Sequence, residues 1–133
     1  MSSKRRILLA EDDASVLKMT TLRLQHEGFE VVVAMDGEQA VKNASSGNPV
    51  DLILIDVKMP KLDGLQVCKQ LKNSPTTAKI PIIVFTASMA QWQQLADRCV
   101  ELGVTDWLKK PFRSQELLSK IHHALGKEGQ PHG

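Results

Sequence analysis

The chain has 133 residues and a net charge of +2, from 17 Lys and Arg against 15 Asp and Glu, with 42% hydrophobic and 24% charged residues. This is the composition expected of one soluble globular domain with its own core; it speaks against a disordered chain and against nucleic-acid binding by bulk charge. No apolar run is long enough for a membrane span, the start lacks the apolar stretch of a signal peptide, and Cys68 and Cys99 form no C-x-x-C pair, so a reduced, cytoplasmic protein with no membrane or nucleic-acid contact is expected.

Apolar runs of strand type alternate with helical patterns. Ile7 to Ala10 reads as the first strand, and Val16, Leu17, Thr20 and Leu24 then recur at helical spacing, with Gly28 closing that helix. Phe29 to Ala34 reads as a second strand, and Asp36 with Gln39 predicts a capping box opening a short helix. After the Asn48-Pro49 break, Leu52 to Ile55 is a continuous apolar strand, as expected where helices cover both faces of a sheet. A helix is predicted from Gly64 to Asn73, and a fourth strand from Pro81 to Phe85, with proline at its first position. A helix from Met89 to Leu102, a strand from Val104 to Leu108 and a helix from Ser114 to Leu125 complete the pattern. Residues 1–126 are expected to form the domain and 127–133 a flexible tail or linker stub. Strands alternating with helices predict an α/β fold: a doubly wound, five-stranded parallel sheet of order 2-1-3-4-5 with five helices.

In such a fold, ligands bind beyond the carboxyl ends of the strands. The first strand runs into Glu11, Asp12 and Asp13 and the third into Asp56, and the topology makes these strands neighbours about 4.8 Å apart. Carboxylates that close repel one another unless a cation joins them, and hard oxygen donors without His or Cys suit Mg²⁺ or Mn²⁺ rather than zinc. Taken singly, Asp13 or Ser15 could simply cap the first helix and Asp56 could start a turn; it is their convergence that points to a site. Thr86 at the end of the fourth strand adds a hydroxyl, and Lys110 after the fifth adds an ammonium. Alone, the first would be a helix start and the second a solvated lysine. Acids, a hydroxyl and a cation around one carboxylate are the equipment for phosphoryl transfer.

The stretch Leu54-Ile55-Asp56-Val57-Lys58-Met59-Pro60-Lys61-Leu62-Asp63-Gly64 matches a D-x-x-M-P-x-x-D-G block. Together with Ile7 to Asp13, Thr86-Ala87 and Lys110-Pro111-Phe112, it makes the chain closely resemble the CheY-like receiver domain of two-component response regulators, over nearly its whole length. The resemblance implies a flavodoxin-like, CheY-like sheet with Asp56 as phosphoacceptor, served by a histidine kinase or histidine phosphotransfer protein. It implies Mg²⁺, with Mn²⁺ as the alternative, held by Asp12, by Glu11 through water, by Asp56 and by the backbone carbonyl of Lys58. The acid pair could also be Asp12 and Asp13, though the strand length favours Glu11 and Asp12. Thr86 and Lys110 are implied to bind the phosphoryl oxygens. Trp107 stands at the switch-aromatic position, turning inward when Thr86 moves, where simple core packing is the plainer reading. The output face would be the last two helices and the intervening strand, contacting a downstream protein or a removed effector domain, as a monomer or as a dimer when phosphorylated. Lys58, two positions after the acceptor, is expected to affect the lifetime of the phosphoryl group. Trp92 falls at core spacing with Leu95 and Cys99, and would be a partner anchor if exposed.

The reaction would be self-modification, so no turnover enzyme is expected. A phosphorylation-independent interaction module on the same fold is the alternative. A dehalogenase-type phosphatase would need an acid where Lys58 stands, and a flavin or nucleotide binder would need a phosphate-cradling loop where three acids follow the first strand.

Overall fold

The computed structural model describes residues 4–86 and 92–126, except for the side chain of Trp92. The expected tail at 127–133, the expected helix start at Met89 and the two readings of Trp92 lie outside the described residues. The elements are β1 (Arg6–Ala10), α1 (Ala14–His26), β2 (Glu30–Ala34), α2 (Gly37–Ala44), β3 (Leu52–Asp56), α3 (Gly64–Lys72), β4 (Ile82–Thr86), α4 (Trp92–Glu101), β5 (Asp106–Lys109) and α5 (Ser114–Gly126). The strands form one sheet of order β2-β1-β3-β4-β5, with every neighbouring pair parallel.

Alternation along each central strand sends side chains to two separate cores. Ile7, Leu9, Leu52, Leu54, Ile83 and Phe85 face α1 and α5. Leu8, Ala10, Ile53, Ile55, Ile82 and Val84 face the other helices, packing with Ala40, Val67, Cys68 and Cys99. Both faces of β3 are therefore buried, which is why its sequence is apolar at consecutive positions rather than alternate ones.

Three helices begin on an aspartate that follows a strand or loop. Asp13 caps α1, Asp36 caps α2, and Asp63 caps α3. The predicted capping box at Asp36 is only half made: Asp36 Oδ1 accepts from the Gln39 N–H at 2.8 Å, but Gln39 Oε1 accepts from Met35 N–H, one residue further back. The complete box lies instead at Asp63 and Gln66, each side chain accepting from the other's N–H.

Two predicted strands start too early, for the same reason. Gly28 and Gly103 adopt positive φ of 96° and 74° and let the chain turn out of α1 and α4. The next residue in each case closes the helix: the Phe29 N–H donates to Leu24 O and the Val104 N–H to Cys99 O. Phe29 and Val104 are buried apolar residues, as their sequence suggests, but their N–H groups belong to helix ends. The strands begin at Glu30 and Asp106.

Candidate functional site

The carboxyl ends of β1, β3, β4 and β5 lie side by side, and the chemistry-bearing residues are the first ones past or at those ends. Glu11 follows β1, its N–H held by Ala34 O at 3.0 Å. Asp56 is the last residue of β3, in register with Phe85 on β4. Thr86 ends β4, and its carbonyl accepts from the Lys110 N–H at 2.8 Å, which fixes where the chain leaves β5. The Lys110–Pro111 peptide is cis.

Glu11, Asp12 and Asp56 each present a carboxylate oxygen within 4.8 Å of the others. Glu11 and Asp56 are buried and Asp12 is exposed, so the cluster has a sheltered floor and one open side. Lys110 joins the floor: its Nζ donates to Glu11 Oε1 at 2.6 Å and to Asp56 Oδ2 at 2.8 Å. The same ammonium stands 5.3 Å from the centre of the Phe85 ring, which packs against Phe112. Burial opposes the charge on Lys110, but the hydrogen bonds to Asp56 and Glu11 outweigh it and hold its pKa above the ordinary lysine value. Burial raises the Glu11 carboxyl above the usual range, and the Lys110 bond works against that rise.

Asp13, the alternative member of the acid pair, is spent elsewhere. Its Oδ1 accepts from the N–H groups of Ser15 and Val16, the helix-capping role. Its own N–H donates to Glu11 Oε2 at 3.0 Å and helps aim that carboxylate. The acids gathered with Asp56 are Glu11 and Asp12.

Lys58 is exposed, and its backbone N–H donates to Asp56 Oδ1 at 3.3 Å, so the chain after β3 curls directly over the Asp56 carboxylate. Gly64 backs this curl: a Cβ there would meet Asp56 O at 2.3 Å. Thr86 is buried at the rim. Trp107 is half-buried on β5, paired with Val84, and packs on the core cluster that α2, α3 and α4 share. Sequence reasoning placed Lys110 at the rim as a ligand for phosphoryl oxygens but did not find its bond to Glu11. The only sequence signal for that bond is the predicted parallel sheet and its strand order, which bring the carboxyl ends of β1 and β5 to one edge of the sheet, flanking those of β3 and β4.

Residues 7–122 match the family described as response regulator receiver domain. The chain belongs to that family. Among curated proteins, this receiver domain is 36% identical over 121 residues to the alkaline phosphatase synthesis transcriptional regulatory protein PhoP of Bacillus subtilis, covering 91% of this chain and 48% of that protein. It is 38% identical over 120 residues to the response regulator MprA of Mycolicibacterium vanbaalenii, covering 90% of this chain and 50% of the relative. The receiver domain thus spans about half the length of these curated relatives. A chemotaxis response regulator of Vibrio cholerae superposes with a TM-score of 0.84 at 28% identity, covering 92% of this chain and 100% of the other. The receiver domain of a sensor histidine kinase from Pseudomonas aeruginosa, solved with a magnesium ion coordinated in its active-site cleft, superposes with a TM-score of 0.83 at 31% identity, over 93% of this chain and 99% of the other. Among the described residues of this receiver domain, no helix is long and apolar enough to cross a membrane.

Proposed function

We propose that this receiver domain is a phosphorylation-controlled switch in which Asp56 takes a phosphoryl group from a phosphohistidine on a histidine kinase or a histidine phosphotransfer protein. One observation carries the reading: Glu11, Asp12 and Asp56 converge to within 4.8 Å on a floor bridged by the Lys110 ammonium. An Asp56 carboxylate oxygen attacks phosphorus while the phosphorus–nitrogen bond to the donor imidazole breaks. The imidazole leaves with the electron pair and takes up a proton, and an aspartyl phosphate remains.

The donor set is all hard oxygen, which fits Mg²⁺ and accommodates Mn²⁺. Glu11, Asp12, Asp56 and the Lys58 carbonyl would hold the ion, which neutralises phosphoryl charge during transfer. Lys110 already donates to Asp56, so it stands ready to pair with oxygens of a group attached there. Thr86, one residue past the partner of Asp56 in the sheet, would donate its hydroxyl to the same group. The added charge would draw Thr86 and reset Trp107 on the neighbouring strand, altering the face made by α4, β5 and α5 for a downstream protein or an attached effector domain. Water attack on the aspartyl phosphate would release inorganic phosphate and return the Asp56 carboxylate, so the domain would be a self-phosphorylating and self-dephosphorylating switch and not a turnover enzyme.

The test is the intact mass after incubation with Mg²⁺ and acetyl phosphate. Wild type should gain one phosphoryl group, and the gain should vanish with EDTA and in Asp56→Ala. A folded protein that binds Mg²⁺ and gains nothing would instead be a phosphorylation-independent interaction module.

A further inference from the structure

The first turn of α2 lies against the loop that follows Asp56, main chain to main chain. A Cβ on Gly37 would sit 2.1 Å from Leu62 O and 2.4 Å from Leu62 Cβ. Any other residue at position 37 would therefore have to push the loop away. The Gly37 N–H donates to Pro60 O at 3.2 Å, and the Leu62 N–H donates to the same carbonyl at 2.9 Å. Between them Lys61 holds a φ of 73°, a conformation that strains a residue with a side chain. Its Nζ reaches back to α2, 3.7 Å from Asp36 Oδ2 and 3.6 Å from Glu38 Oε1. The other end of the loop is tied to the sheet, Val57 N–H to Phe85 O, and Lys58 N–H to Asp56 Oδ1.

We propose that Gly37, supported by Lys61, is a positioning residue for the phosphorylation site. The start of α2 acts as a latch that sets the path of residues 57–63, and through it the place of the Lys58 main chain beside Asp56. The inference rests on the reading of Asp56 as a metal-dependent phosphoacceptor and assigns a role to a helix start that supplies none of the acids in the cluster. A loop held at both ends presents its backbone already ordered; one held only at the sheet end must be ordered at the moment the metal binds.

The experiment compares wild type, Gly37→Ala and Lys61→Glu. Amide hydrogen exchange is followed in metal-free protein, Mg²⁺ affinity by calorimetry, and acetyl phosphate labelling by intact mass. In Gly37→Ala the amides of Lys58, Leu62 and residue 37 should exchange faster while those of β1, β3 and β4 keep their protection, and Mg²⁺ should bind about tenfold more weakly. Lys61→Glu sets a third carboxylate against Asp36 and Glu38 at an exposed position, so it should fold and show the same pattern to a smaller degree; it decides the question should Gly37→Ala unfold. Variants that are folded, with wild-type exchange at Lys58 and Leu62 and wild-type Mg²⁺ affinity, would overturn the latch. A wild type that neither binds Mg²⁺ nor takes a phosphoryl group would sink the underlying reading instead, and the exchange comparison would still test the latch.

Discussion

Lys110 Nζ stands 2.6 Å from Glu11 Oε1 across 99 positions of sequence, and the same atom holds Asp56 Oδ2 at 2.8 Å. The lysine is thereby the internal cation of the acid cluster. In Lys110→Met, Glu11 and Asp56 would face each other without it. The metal-free variant should lose roughly 2 to 3 kcal/mol, below the full cost of breaking a completely buried pair because one side of the cluster is open. Urea denaturation measures this, and Mg²⁺ should restore more stability to the variant than it adds to wild type. Equal stability of the two metal-free proteins would show that the lysine does not hold the acids together.

The same contact sets a pH dependence. The folded pKa of Lys110 lies above its ordinary 10.5, so its contribution is complete below that value and is lost as pH rises through the folded pKa. Denaturation midpoints taken from about pH 9 to about pH 11.5 should fall more steeply in wild type than in Lys110→Met. Parallel curves would mean that the lysine gains nothing from its partners.

The two cysteines are free and fully buried. Burial, with Cys99 nearby, pushes the Cys68 thiol up to about 12, and burial raises Cys99 as well. Neither should react with iodoacetamide at about pH 8 under native conditions, whereas both should react once the chain is unfolded. Intact mass against time distinguishes these, and rapid native labelling would contradict the packing around α3 and α4.

Two glycines give a matched pair. A Cβ at Gly64 meets Asp56 O at 2.3 Å, while one at Gly47 meets nothing within 4 Å. Gly64→Ala should cost about 2 to 4 kcal/mol and slow labelling by acetyl phosphate, because the displaced atom belongs to the main chain of Asp56. Gly47→Ala should change stability by no more than about 0.5 kcal/mol. Thermal denaturation of both variants reads the difference.

Asp13→Ala separates capping from metal binding. Asp13 accepts two backbone N–H groups at the start of α1, so its loss should cost about 1 kcal/mol. Mg²⁺ affinity should stay near the wild-type value, in contrast to Asp12→Ala. A large loss of affinity in Asp13→Ala would return it to the ligand set.

Much of the architecture was legible because its signals are local. The consecutive apolar residues of β3 announce a strand buried on both faces, and glycines at 28 and 103 mark helix ends. The errors have a local cause as well. Phe29 and Val104 carry strand-like side chains, but each donates its N–H to a carbonyl five residues earlier, and side-chain pattern does not report where an N–H is directed. Gln39 likewise reached Met35 rather than the expected N–H of Asp36, a matter of one residue's backbone direction.

For the site, the residue types and their places at strand ends came from the sequence alone, since parallel topology obliges every strand to deliver its last residues to one edge. Which oxygen meets which cation was settled only by the tertiary structure. Asp13 and Glu11 are close in sequence and alike in chemistry, yet one turns to cap α1 and the other turns under Lys110. The contact of Gly37 with Leu62 joins segments whose sequences carry no mark of each other. Such pairings depend on how helices seat against a twisted sheet, to within an ångström, and that distance is decided by the packing of the whole core.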